Sequence, residues 1–121
     1  MIYHITSRAA WARAQTQGHY SAPSLESEGF IHFSTRDQVL QVANDFYRGQ
    51  ADLLLLCIDE SRLASELRWE APAHPTPEAA HKREQDAPFP HLYGVLNLDA
   101  VVAVYDFHAG RTGFALPPGL T

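Results

Sequence analysis

Three histidines stand beside hydroxyls or aromatic rings, and each offers acid–base or ligand-binding chemistry near neutral pH. His32 opens the run His32-Phe33-Ser34-Thr35, placed where a strand should run into a helix start. Unpaired backbone N–H groups and the helix dipole favour anions such as phosphate there. Ser34 and Thr35 can divide two jobs, capping the helix and bonding a ligand. His4 alternates with Tyr3 and Ile5, so its imidazole turns to the opposite strand face. If both strands join one sheet, His4 and His32 open onto a common cleft, able to act as acid and base or to bond a ribose. His91 lies in Phe89-Pro90-His91-Leu92-Tyr93-Gly94. Pro90 stiffens that entry, Gly94 permits a ligand's close approach or a bulge, and an aromatic ring could stack on a base or nicotinamide.

Two carboxylates complete the set. Glu28 precedes Gly29 as a candidate general base, and Glu70 follows Trp69, where desolvation against a ring raises a carboxyl pKa as a general acid needs. The catalytic candidates are His32, Glu70 and His91; the ligand-binding candidates are His4, Thr6, Ser24, Glu28, Ser34, Thr35, Tyr93 and Gly94. Each has a plainer reading as a hydrogen-bonded strand residue, a helix cap or a solvated charge. No cysteine cluster and no helical pair of histidines four apart exists, which excludes a structural zinc site. A metal held by His4, His32 and His91 requires folding to bring all three together. His19, His74, His81 and His108 fall in loops or at strand ends and are expected exposed. Cys57 lies in Leu53-Leu54-Leu55-Leu56-Cys57-Ile58, where desolvation leaves a thiol inert.

The elements that must position these groups follow from periodicity. Residues 2–5 read as a strand, Thr6 or Ser7 as a cap, and residues up to Gly18 as a short helix. Residues 19–29 read as a loop of the kind that lines binding sites. Phe30 to Phe33 is a second strand, and Thr35 to Gln38 fits a capping box opening a helix that stops at Gly49. Leu53 to Asp59 reads as a strand covered on both faces. Residues 60–66 read as a helical turn, 67–70 as a strand and 71–90 as a loop. Tyr93 to Leu96 and Ala100 to Phe107 read as closing strands, followed by a frayed tail. Strands dominate the second half, so the class is α+β. The expected unit is one domain over 1–121, with its core in 2–107 and a tail over 108–121.

The chain has 121 residues, a net charge of −5, one lysine (Lys82) and one cysteine. Such a balance excludes a broad basic surface for duplex nucleic acid. A lone cysteine favours a reducing compartment, and neither a signal peptide nor an apolar run of about 20 residues is evident. A cytoplasmic protein with no membrane partner is expected. No glycine-rich dinucleotide turn or phosphate loop occurs.

Tyr3-His4, the stretch Ser24 to Ser34, Asn44 with Phe46-Tyr47, Trp69-Glu70 and Phe89 to Gly94 together resemble a bacterial family, the domain of unknown function 952 (DUF952) family, over residues 2 to about 107. That family's fold is similar to that of ADP-ribosyltransferases and RNA 2'-phosphotransferases, which bind NAD in the cleft of a split β-sheet. The resemblance therefore implies an ADP-ribosyltransferase-like split β-sheet with two short helices early in the chain. It places His4 where those enzymes bond the adenosine ribose. Ile31-His32-Phe33-Ser34 resembles the phosphotransferases' second motif. Two features depart from the pattern: no glutamate stands on a late strand, and no arginine accompanies His4 or His32.

The expected function is binding of NAD or another nucleotide, with NAD as a substrate rather than a fixed cofactor, and with ADP-ribosyl or phosphoryl transfer as the accompanying chemistry. His4 would hold the ribose, His32 and Ser34 a phosphate or second ribose, and Tyr93 a ring, with Glu70 or Glu28 as acid and base. The rivals are a non-catalytic ligand-binding or interaction module and a metal-dependent hydrolase using His4, His32 and His91.

Overall fold

The computed structural model describes residues 1–71, 87–110 and 113–120. His74, His81 and Lys82, with most of the loop expected over 71–90, lie outside those residues. Three antiparallel sheets organise the rest. Strand β1 (Ile2–Ser7), β4 (Leu53–Ile58) and β8 (Val101–Phe107) form one, in the order β1-β4-β8. A second joins β3 (Ile31–His32), β6 (Phe89–Tyr93) and β5 (Glu66–Glu70) in the order β3-β6-β5, and β2 (His19–Tyr20) pairs with β7 (Leu96–Asn97). The fold is α+β. No helix among the described residues is long and apolar enough to cross a membrane.

Strand β4 is apolar throughout because both its faces are covered, as its unbroken run of hydrophobic residues requires. Leu56 and Ile58 pack with Ile2, Ile31, Phe33 and Leu92 on one side. Leu53, Leu55 and Cys57 pack on the other with Tyr3, Ile5, Phe107 and the residues Val39 and Ala43 of helix α3 (Arg36–Phe46). Burial pushes the Cys57 thiol up to about 11, so it stays protonated and inert at neutral pH.

Among the described residues, one isolated backbone bridge links the two larger sheets. Tyr3 and Ser34 exchange backbone hydrogen bonds, each 2.8 Å, so the free edge of β1 is continued by the residues that follow β3. That bridge sets β1 and the β3–α3 turn side by side. Helix α1 (Arg8–Gln17) follows β1 directly, its N-cap being Ser7, whose Oγ accepts from the Ala10 N–H at 3.0 Å. Gly18 ends it at φ +89°, a conformation that a Cβ would resist.

Three expectations change. The loop over 19–29 contains β2 and a short helix, α2 (Pro23–Ser27): Pro23 suits a first helical position, and β2 is too short to leave an alternating pattern. Phe89 and Pro90, expected in the loop, begin β6, while Gly94 ends it, so the strand expected over 93–96 is split. Pro90 is tolerated because it sits at a strand start and supplies its carbonyl to the Phe33 N–H at 3.0 Å.

The tail also departs from a frayed end. Phe114 is 7% exposed and stacks on Phe107 with ring centroids 4.9 Å apart. Its N–H donates to Asn44 Oδ1 of α3 at 3.1 Å, and the Gly119 carbonyl accepts from the Tyr105 hydroxyl at 3.2 Å. Prolines at 117 and 118 suggest a loose end, but the apolar Phe114, Leu116 and Leu120 bury against the α3 side of the sheet. A Phe114→Ala variant should lose about 3 kcal/mol in urea unfolding, whereas a frayed tail would leave the midpoint unchanged.

Candidate functional site

Antiparallel register places the chemistry on one face of the β3-β6-β5 sheet. His32 lies opposite His91, Arg68 opposite His91 on the other flank, and Glu70 opposite Phe89. Residues two apart share a face, so Phe89, His91 and Tyr93 project together with Arg68 and Glu70. The His32 and His91 rings meet edge to face with centroids 5.5 Å apart. All three residues expected to be catalytic, His32, Glu70 and His91, are thus neighbours.

Glu70 holds His91. The Nδ1 of His91 lies 2.8 Å from Glu70 Oε1, which also accepts from the Tyr93 hydroxyl at 2.6 Å. These two hydrogen bonds, Tyr93's foremost, hold the Glu70 carboxyl below its ordinary range, so it is ionised at neutral pH and can only accept. His91 Nδ1 therefore carries a proton, and in the neutral ring Nε2 bears the lone pair. His91 is 2% exposed and its Nε2 has no hydrogen-bond partner among the described residues. Phe30 stacks on the same imidazole at 4.1 Å and 21°, which fixes the ring plane. Arg68 sits over the Tyr93 ring at 4.4 Å while pairing with Glu66.

His4 is disposed differently. Its Nδ1 lies 2.6 Å from the His32 carbonyl, which can only accept, so Nδ1 carries the proton. Its Nε2 lies 2.8 Å from the Tyr20 hydroxyl, itself 2.9 Å from Thr6 Oγ1. A neutral His4 accepts there from Tyr20, and Thr6 can then donate to the Tyr20 oxygen. Burial lowers the His4 pKa to about 4, so the neutral form holds at pH 7. Burial also raises Tyr20 to about 12. Both ring nitrogens of His4 are spent inside the fold. His4, expected at a ribose, faces the cavity, and its two ring hydrogen bonds order β1, β2 and β3 against one another.

A cavity of about 530 Å³ lies between β1, the start of α1, the β2–α2 segment and the β3–α3 turn. His4, Thr6, Ser24, His32, Ser34 and His91 line it, together with Arg13, Tyr20, Tyr47 and Phe89. Five expected residues stand off its wall, each for a visible reason. Thr35 is the N-cap of α3, its N–H donating to Gln38 Oε1 at 3.0 Å in the expected capping box. Glu28 pairs with His32 Nε2 at 3.2 Å on the outer side. Glu70 and Tyr93 stand behind His91. Gly94 does serve a close approach, but to Ser65: a Cβ there would come within 2.3 Å of the serine hydroxyl. Ser24 reaches the wall while donating to the Phe30 carbonyl at 2.8 Å. The three-histidine metal alternative is not met, for no group of three His, Cys, Asp or Glu among the described residues is arranged to hold an ion.

Arg13, Tyr20, Phe30 and Arg68 were not among the expected site residues. Tyr20 had the clearest signal, a tyrosine in a stretch read as polar loop, since a buried phenol needs a partner.

The description "protein of unknown function (DUF952)" matches residues 5–104. The chain belongs to the DUF952 family. The crystal structure of protein CC0527 from Caulobacter crescentus is similar, at 34% identity over 93% of this chain and 90% of that one, with a TM-score of 0.77. A double mutant of CC0527 gives 33% identity and a TM-score of 0.77 over the same shares. Its solution structure gives 34% and 0.73, over 93% and 89%. Among curated proteins none matches. The DUF952 fold is therefore supported by an experimental relative, while none of these names states an activity.

The His4 network carries a pH signature. With a folded pKa of about 4 against an ordinary 6.5, the unfolded chain binds the proton more readily between those values. Stability from this group is complete above pH 6.5 and is lost as pH falls toward 4, by roughly 3 kcal/mol in all. A His4→Phe variant should be less stable than wild type at pH 7, with a shallower fall between pH 6.5 and 4. Urea midpoints across that range measure it; parallel curves would contradict the assignment.

Proposed function

We propose that this DUF952 protein binds a small ring-bearing molecule, NAD or another nucleotide, in the cavity, and that the Glu70–His91 pair moves a proton on it. One observation carries the reading. His91 lines the cavity, is buried, is oriented by a carboxylate on one nitrogen, and has no partner for its other nitrogen among the described residues. Buried polar groups are almost always hydrogen-bonded, and an exception at a cavity invites a ligand. A carboxylate behind Nδ1 fixes the tautomer and stabilises the imidazolium formed when Nε2 takes a proton. That is the work of a general base acting on a hydroxyl or water bound in the cavity, and of a general acid when the proton returns. Thr6 and Ser34 supply hydroxyls for a ribose, and Tyr47 and Phe89 supply rings for a base or nicotinamide. Glycosidic or phosphoryl transfer by the ADP-ribosyltransferase route fits these parts.

A second reading is favoured by the cavity wall, whose described residues include no aspartate or glutamate to polarise a ribose at the breaking bond. In that reading the cavity binds its ligand without chemistry.

Thermal unfolding with NAD and ADP-ribose separates the outcomes. A ligand at about 100 times its dissociation constant adds about 2.7 kcal/mol. Nicotinamide release by wild type, reduced about a hundredfold or more in His91→Gln with binding retained, supports the proton-transfer role. Stabilisation without release supports the binding module, and no stabilisation by either compound removes the nucleotide reading.

A further inference from the structure

The cavity has an electrostatic character opposite to that of the chain. The protein holds 14 acidic residues against nine lysines and arginines, yet among the described residues that line the cavity none is acidic. Among the described lining residues the single arginine is Arg13, on α1. Ala10, three residues earlier, also lines it, and positions i and i+3 share a helix face. Arg8, Arg62 and Arg68 are each paired, with Asp106, Asp59 and Glu66. Arg13 has no ion pair and no hydrogen bond among the described residues. Its charge nonetheless acts on Tyr20, opposing the larger effect of burial on that hydroxyl. The guanidinium therefore stands near the outer end of the His4–Tyr20–Thr6 network, at an exposed position.

Hydroxyls reinforce this asymmetry. Ser21 and Ser34 line the same wall and can donate. A cation entering the cavity would leave water and meet no carboxylate among the described residues. An anion would meet a guanidinium and hydroxyl donors, and guanidinium matches both phosphate and carboxylate geometry. His91, whose Nε2 has no partner among the described residues, lines the wall next to the His32 ring. The charged and reactive ends of a ligand are thereby separated.

We infer that the ligand of this cavity is a small anion, its phosphate or carboxylate docked on Arg13 at the mouth and its uncharged ring turned inward toward His91. This rests on the reading of the cavity as a small-molecule site and adds the ligand's charge and orientation.

Calorimetry on the full chain at low salt tests it with two matched pairs, AMP against adenosine and nicotinate against nicotinamide. At least one anion should bind about tenfold more tightly than its neutral partner, the scale of a charge-assisted hydrogen bond. Arg13→Gln should erase that preference, while Arg62→Gln, remote from the cavity, should keep it. Added salt should narrow the preference, because Arg13 is exposed. A preference confined to AMP identifies a phosphate ligand. One confined to nicotinate identifies a carboxylate, and would remove the nucleotide reading while leaving the anion inference standing. Equal binding of anion and neutral partner, or a preference that survives Arg13→Gln, overturns the inference and leaves the small-molecule reading intact. No saturable binding of any of the four overturns both.

Discussion

Burying one imidazole between the sheets is the constraint on which this molecule depends. His4 is 7% exposed, so each of its nitrogens must be satisfied from within. The His32 carbonyl and the Tyr20 hydroxyl do this, and they come from β3 and β2. One side chain of β1 thus ties down two strands that share no sheet with it. The Tyr3–Ser34 backbone pair lies one residue away and points along the sheet rather than across it. Together they hold β1 and the β3–α3 turn at the separation that the cavity needs. Loss of either nitrogen's partner would leave a buried polar group in a low-dielectric interior, which costs more than the bond itself contributes.

That constraint sets the strand side of the cavity, while helices α1, α2 and α3 and the chain between them complete its wall. A pair such as Glu70 and His91 must be placed to a fraction of an ångström, and neighbouring strands in fixed register do so. The β2–α2 segment, by contrast, contributes Tyr20, Ser21 and Ser24, whose positions follow from the His4 network and from the Ser24 bond to Phe30.

Local pattern made some of this legible and left the rest hidden. Helix α3 was visible because its capping box, apolar spacing and stop all agree over eleven residues. Strand β4 was visible because a two-sided burial leaves an unbroken apolar run. Strand β2 was not, because two residues carry no period, and its partner β7 lies more than seventy positions away. His32, Glu70 and His91 could be picked out by type and neighbourhood, but the contact of Glu70 with His91 spans twenty-one positions and depends on the β5–β6 register. Phe30 was read as a strand residue, and only the packing shows it lying flat on His91. Arg13 gave no signal at all. An arginine on a short helix is ordinarily solvated, and what distinguishes it is a wall assembled from distant segments whose described residues include no acid.

Three histidines on one cavity show how strand partners, rather than residue type, assign chemistry. His4 meets a carbonyl and a phenol, loses its proton to burial, and becomes a structural hydrogen-bonding group. His32 is half-exposed and turns its Nε2 outward to Glu28, so a solvated carboxylate competes for it. His91 has a carboxylate behind it, a phenyl ring across its face and, among the described residues, no partner for Nε2. Of the three, this combination leaves a lone pair that is buried, oriented and without a described partner. Tyr93, on the far side of Glu70, holds that carboxyl in its accepting, ionised form, which keeps the proton of the neutral imidazole on Nδ1 and the lone pair on Nε2.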